Sequence, residues 1–214
     1  MLTIYGRTSS FNVQKVMWLV GELGIAHRQI EMGGSFGGLE KAEFRTMNPH
    51  GRVPVIDDDG AIVWESHAIL RYLAARYGAR DFWSDDPAER SLADHWMDWS
   101  QCTLRPDFLN GVFWGYYRTP AVQRNMPAVE GRISRGRHFQ LLDAILADRP
   151  FLLGDRLSLA DIPARTNLYR YFNIDIARPN VPLVARLYRA LQERAAYRAH
   201  VMAPFAELYG RLAY

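Results

Sequence analysis

Three short stretches of this 214-residue chain carry side chains that could hold a small anion or share a proton with one. The first is the polar turn Gly6-Arg7-Thr8-Ser9-Ser10, followed closely by Asn12, at the start of a predicted helix. Ser and Asn are favoured there as caps, because the first turn of a helix leaves N–H groups without partners. The same hydroxyl or amide can donate to an anion instead. The second stretch, Glu65-Ser66, also precedes a helical pattern. Ser66 is a good N-cap; unpaired N–H groups and the positive end of the helix dipole face outward at such a place, which suits a carboxylate. The third is Arg52-Val53-Pro54. Arg52 offers either a forked contact to a carboxylate or an ordinary surface guanidinium. Pro54 interrupts an apolar run where a central strand should donate a backbone N–H. Such a proline survives at an edge, at a bulge, or where a cis bond turns the backbone toward a ligand.

Composition narrows the classes open to the chain. Apolar residues are 49% and charged residues 23%, an ordinary balance for a globular protein, which excludes a fibre or a mainly disordered chain. Lys+Arg 26 against Asp+Glu 23 gives +3, with the basic residues spread along the sequence. The cluster Arg132, Arg135 and Arg137 reads as a solvated helix face, so no nucleic-acid partner is expected. No window approaches 18 uncharged apolar residues, so no membrane span is expected. MLTIYGRTSS lacks a basic region followed by an apolar one, and a cytoplasmic location is expected. The single cysteine, Cys102, cannot close an intrachain disulfide and reads as a small buried hydrophobe on a long helix. The six histidines show no paired metal-ligand spacing, and no G-x-G-x-x-G or Walker pattern occurs. Neither a metal nor a nucleotide cofactor is expected.

The elements that must position these residues fall into two halves. Leu2 to Tyr5 is a β-type run. Val13, Val16, Met17, Val20 and Leu23 then recur at helical spacing before Gly24. A second strand fits residues 28–32, and a Gly-rich loop leads into a short helix near 39–47. Two apolar runs around Asp57-Asp58-Asp59-Gly60 predict a hairpin. A helix follows Glu65-Ser66, with Ile69, Leu73 and Tyr77 on one face and Gly78 closing it. The order is β-α-β-α-β-β-α, a mixed sheet with helices packed on it. After a break near 79–87 the strand signal ends. Long helical segments are predicted over 88 to about 117 and 121 to about 147. A capping box at Ser158-Leu159-Ala160-Asp161 opens another helix. Further helices are expected around 183–191 and 204–212.

Taken together and in order, these motifs resemble cytosolic glutathione transferases. The resemblance rests on Tyr5-Gly6, Ser10 followed five residues later by Lys15-Val16, Asn48-Pro49-His50-Gly51-Arg52-Val53-Pro54, Glu65-Ser66, and Gly154 with Ser158 and Ala160-Asp161. It is closest to the serine-type theta, phi and bacterial members. It implies an α+β thioredoxin-like domain over 1–79 and an all-α domain over 88–214, a cis Val53–Pro54 bond, and a homodimer. Glutathione would be the co-substrate, its γ-glutamyl end at Glu65 and Ser66, its cysteinyl backbone paired with Val53 beside Pro54, and its glycyl carboxylate near Arg52 or, more weakly placed, Lys41. A free thiol titrates near ~8.5, so a hydroxyl donating to the sulfur favours the reactive thiolate. The resemblance gives that role to Ser10, with Asn12 and Ser9 as rival donors. An electrophile wall would draw on Trp99, Phe108, Phe113, Trp114, Tyr116 and Tyr117, many of which should be core. Asp161 reads as a folding element. The implied activity is conjugation of glutathione to small hydrophobic electrophiles. Dehalogenation, ether cleavage, peroxide reduction, or a non-catalytic glutathione-binding module are the alternatives.

Overall fold

A computed structural model describes residues 1–212, with backbone alone at Ala79 and Arg80. The chain forms two compact units, one of Met1–Ser84 with Ala195–Ala203, the other of Asp85–Arg194 with the segment from Pro204.

In the first unit the strands are β1 (Leu2–Tyr5), β2 (His27–Ile30), β3 (Val55–Asp58) and β4 (Ala61–Trp64). The helices are α1 (Phe11–Glu22), α2 (Ala42–Met47), α3 (Ser66–Tyr77) and the short α4 (Ala79–Phe82). The sheet order is β2-β1-β3-β4, parallel between β1 and β2 and antiparallel elsewhere. Parallel pairing needs a long crossover, which α1 supplies, while β3 and β4 need only a tight turn. That turn is Asp59-Gly60, with φ of 52° and 95°, the two positive angles of a type I′ hairpin. Pro54 lies just before β3 rather than inside it, so the ladder loses no donor. The run Val53-Pro54-Val55-Ile56 is therefore a strand only from Val55 onward.

The stripe predicted for α1 proves too narrow. Every residue from Val13 to Val20 is buried, because a helix from near the other end of the chain covers the second side. This is α10 (Ala195–His200), whose Tyr197 ring meets Trp18 edge-on at 4.9 Å. A Cβ at Gly21 would come within 2.8 Å of Ala196, so a glycine lets the two helices close up.

The second unit is helical: α5 (Pro87–Trp99), a π-helical continuation over Ser100–Arg118, α6 (Met126–Gly136), α7 (His138–Ile145), α8 (Asp161–Phe172) and α9 (Pro182–Gln192). The wider turns contain Pro106, which has no N–H to give an ordinary ladder. The helix expected over 121 to about 147 is instead α6 and α7, broken where Arg137 takes left-handed angles (φ 48°, ψ 18°). The break lets His138 reach Asp107 at 2.8 Å, and Arg132 bonds the same carboxylate at 3.2 Å. No helix forms over 204–212 beyond one tight turn at Ala206–Leu208. There Gly210 donates its N–H to the Tyr117 carbonyl and Arg118 donates to that of Arg211, holding the segment in a non-helical path. Cys102 is exposed, which corrects its reading as a buried hydrophobe. The apolar side of its helix is carried by Leu104 and Phe108 instead. The core here is aromatic: Phe139 stacks on Tyr171 at 3.7 Å, and Phe108 meets both edge-on. Burial pushes the Tyr171 phenol up to about 12.

Candidate active site

One row across the sheet explains why residues distant in sequence converge. Strand registers align Ile30, Tyr5, Val55 and Trp64 side by side. Past this row, β1 runs into the Gly6–Ser10 turn, β2 into Glu31, and β4 into Glu65-Ser66. β3 is entered from Val53-Pro54. All the sheet-domain candidates except Lys41 therefore leave from, or arrive at, the same end of the sheet.

Gly6 makes the closest approach. Its φ is 150°, and a Cβ there would lie 2.5 Å from Val13 Cγ2 and 3.1 Å from Val53 Cβ. Only glycine lets the turn, the start of α1 and Val53 pack so closely. Ser10 occupies the N-cap position of α1 and is buried, at 9% exposure. Its carbonyl accepts the Gln14 N–H, but its hydroxyl makes no bond to the N–H groups of the helix start. The first turn of α1 also carries no acidic side chain. The positive helix end is thus left for an incoming negative charge. Asn12, the second helical residue, is half-buried, and its Oδ1 is a buried acceptor with no protein donor. Ser9 is half-buried in the turn before them.

The Val53–Pro54 peptide bond is cis. The approach to it is braced by Asn48, whose Nδ2 donates to the Arg52 carbonyl at 2.9 Å and whose Oδ1 accepts the His50 N–H. Val53 is half-buried, while Arg52 is exposed. Lys41 is exposed at the N-cap of α2.

Ser66 is the first helical residue of α3, and Glu65 is its N-cap, one position earlier than expected. The reason is Glu65's backbone, which stands at φ 68°, ψ 119°, so helical angles begin only after it. Such a conformation in a non-glycine residue costs about 1–3 kcal/mol and concentrates at ligand clamps. Glu65 is exposed, and Ser66 is buried. The Glu65 side chain makes no cap bond, and the first turn of α3 carries no acid.

In the helical unit the six aromatic candidates divide. Phe108 and Phe113 are core, at 3% and 1% exposure. Trp99 packs on Trp96 and His138. Tyr117 stacks on Phe113, and Trp114 is exposed beneath the Arg118 guanidinium. Tyr116 lies under Arg124. Asp161 is fully buried; it accepts the N–H groups of Leu152 and Ser158 and pairs with Arg165 at 2.8 Å. Ser158 bonds that carboxylate through its hydroxyl rather than capping the helix N–H groups, and α8 begins at Asp161 itself. Two residues not singled out from the sequence, Gln29 and Glu31, also reach the Ser10 turn. Gln29 sits in β2 and Glu31 directly after it, in a stretch of mixed polarity where no local pattern marks them. Among the described residues no group of three or more His, Cys, Asp or Glu could hold a metal ion.

Comparisons with known proteins give the family. The glutathione S-transferase N-terminal domain family matches residues 4–81, and the glutathione S-transferase C-terminal domain family matches residues 93–195. Glutathione S-transferase GstB of Escherichia coli K12 is 40% identical over 207 residues, covering 95% of this chain and 99% of that protein. Glutathione S-transferase theta-2B of Homo sapiens is 30% identical over 175 residues, covering 78% and 66%. Among solved structures, the theta-class glutathione S-transferase of the citrus canker pathogen Xanthomonas axonopodis pv. citri, with glutathione bound, superposes with a TM-score of 0.85. It is 40% identical, over 95% of this chain and 98% of that one. A thioredoxin-like sheet unit followed by helices, with these matches along nearly the whole length, defines the class: the chain belongs to the cytosolic glutathione S-transferase family.

Proposed function

We propose that this chain conjugates the thiolate of glutathione to small hydrophobic electrophiles, with Ser10 as the hydrogen-bond donor to the sulfur. The observation that carries this reading is the hydroxyl of Ser10, a residue only 9% exposed at the start of α1, which is not spent on capping its own helix. A donor there favours S⁻ over S–H, and the helix dipole adds in the same direction. Lowering the thiol from ~8.5 by about two units corresponds to roughly 2.7 kcal/mol of preferential stabilisation. Asn12 is the second donor available to the same atom.

The family resemblance supports the remaining assignments, and the residues concerned stand at that same end of the sheet. The γ-glutamyl carboxylate takes the N–H groups at the start of α3 with the Ser66 hydroxyl, and Glu65 pairs with the ammonium. Val53 exchanges backbone hydrogen bonds with the cysteinyl residue, Pro54 setting the direction of that backbone, as in strand addition. Arg52 meets the glycyl carboxylate. In the reaction the sulfur lone pair forms the new C–S bond, and the electrophile either expels its leaving group with the bonding pair or accepts a proton after addition. The protein acts by positioning and by tuning the thiol. The protein works as a cytoplasmic homodimer; the family resemblance supports the dimer. No helix among the described residues is long and apolar enough to cross a membrane.

The test is ultraviolet absorbance of the bound thiolate against pH. Wild type should ionise the thiol well below ~8.5, and Ser10→Ala should return it toward that value. An unchanged titration in Ser10→Ala would remove Ser10 from the mechanism and turn the test to Asn12. A panel of aryl halides, isothiocyanates, haloalkanes and peroxides then separates conjugation from its neighbouring activities.

A further inference from the structure

The turn that presents Ser10 is gripped from the adjacent strand. Glu31, directly after β2, accepts the Thr8 backbone N–H with both carboxylate oxygens, at 3.1 and 3.3 Å, and the Thr8 hydroxyl at 2.6 Å. Gln29 Nε2 donates to the Gly6 carbonyl at 2.9 Å and lies 3.4 Å from both Thr8 Oγ1 and Glu31 Oε1. From the other side, Gln14 Nε2 on α1 donates to the Thr8 carbonyl at 3.2 Å. Thr8 thus has its N–H, hydroxyl and carbonyl all engaged, two residues before Ser10. The backbone adds Gly6 N–H to Ile30 and Arg7 N–H to Met32.

We propose that Glu31, acting through Thr8, is a positioning residue that fixes the direction of the Ser10 hydroxyl toward the glutathione sulfur. This rests on the reading of Ser10 given above. A short polar turn is otherwise among the more mobile parts of a fold, and a donor placed loosely by a fraction of an ångström loses much of its effect on a reacting atom. Bonds to a carboxylate are roughly twice as strong as neutral ones, so one acid holding two donors of one residue makes an effective clamp. Thr8 faces solvent. When Glu31 is removed, water takes over the Thr8 donors; the remaining bonds of Gly6, Arg7 and the Thr8 carbonyl keep the fold, while the stretch from Thr8 to Ser10 loses its charged restraint. The consequence falls on chemistry rather than on stability.

The experiment uses the full chain, glutathione, and 1-chloro-2,4-dinitrobenzene as the probe electrophile. In Glu31→Ala the thiol titration midpoint should rise and kcat should fall about tenfold. KM for glutathione and the thermal midpoint should stay near wild type. Glu31→Gln keeps an acceptor and should recover most of the loss, and Thr8→Val should lie between. Because Glu31 acts through Ser10, the double variant Ser10→Ala/Glu31→Ala should be no worse than Ser10→Ala. A wild-type titration in Glu31→Ala, or losses that add in the double variant, overturns the proposal. If Ser10→Ala itself titrates like wild type, the Ser10 reading fails and this inference with it. If Ser10→Ala shifts and Glu31→Ala does not, the grip alone fails. Should Glu31→Ala not fold, Thr8→Val is judged by the same readouts.

Discussion

Asp161 shows how much structure one side chain can organise. It is fully buried, accepts two backbone N–H groups and one hydroxyl, and neutralises Arg165, itself only 2% exposed. Removing one partner of a buried pair strands the other charge, which costs about 3–5 kcal/mol. Asp161→Ala should therefore unfold at clearly lower urea while the chemistry of any folded fraction is unchanged. A variant within about 1 kcal/mol of wild type would mean that Arg165 and the two N–H groups find other partners. At this scale the sequence is legible where a motif is local: Ser158 and Asp161 stand three apart and their contact was readable. Glu31 was not, because its partner Thr8 is brought to it only by the parallel pairing of β1 with β2.

At the scale of elements, the packing of α10 on α1 brings a titratable group into the interior. His200 is half-buried, and burial first, then the His27 ring 6.5 Å away, pushes its titration below the ordinary 6.5. A depressed histidine means that the unfolded chain binds the proton more readily than the folded one. Its contribution to stability is whole above pH 6.5 and is lost as the pH falls from there through the folded-state value. The urea midpoint should thus drop between pH 7.5 and about 5.5, and the protection of α10 amides, taken relative to their intrinsic exchange rate at each pH, should fall with it. His200→Gln should flatten that part of the profile. An unaltered slope in the variant would assign the pH dependence to other groups. Reading α1 as a one-sided amphipathic helix fails for the same tertiary reason: its partner lies some 180 residues further along the chain.

For the whole molecule, the testable statement is its assembly. Light scattering coupled to size exclusion should give twice the chain mass at micromolar concentration. A monomer that still turns over glutathione would separate the activity from the assembly. The segment 195–203 belongs to the first compact unit although most of the second precedes it. No composition shift marks that return, because a helix such as α10 has the same apolar spacing whichever unit it covers.

What the amino-acid order settles by itself is local and periodic: the strand and helix succession of the first half, the Asp59-Gly60 turn, the polar turn before α1 and the Glu65-Ser66 step into α3. Each depends on neighbours within a few residues, so spacing and residue type are enough. Tertiary packing decided the rest. It moved the start of α3 by one residue through the backbone of Glu65, split the helix at Arg137 so that His138 could meet Asp107, and left Cys102 on the outside. It also set Ile30, Tyr5, Val55 and Trp64 in one row, which is what gathers the candidate residues. These outcomes depend on which surfaces meet across long sequence separations, and no short window of residues contains that information.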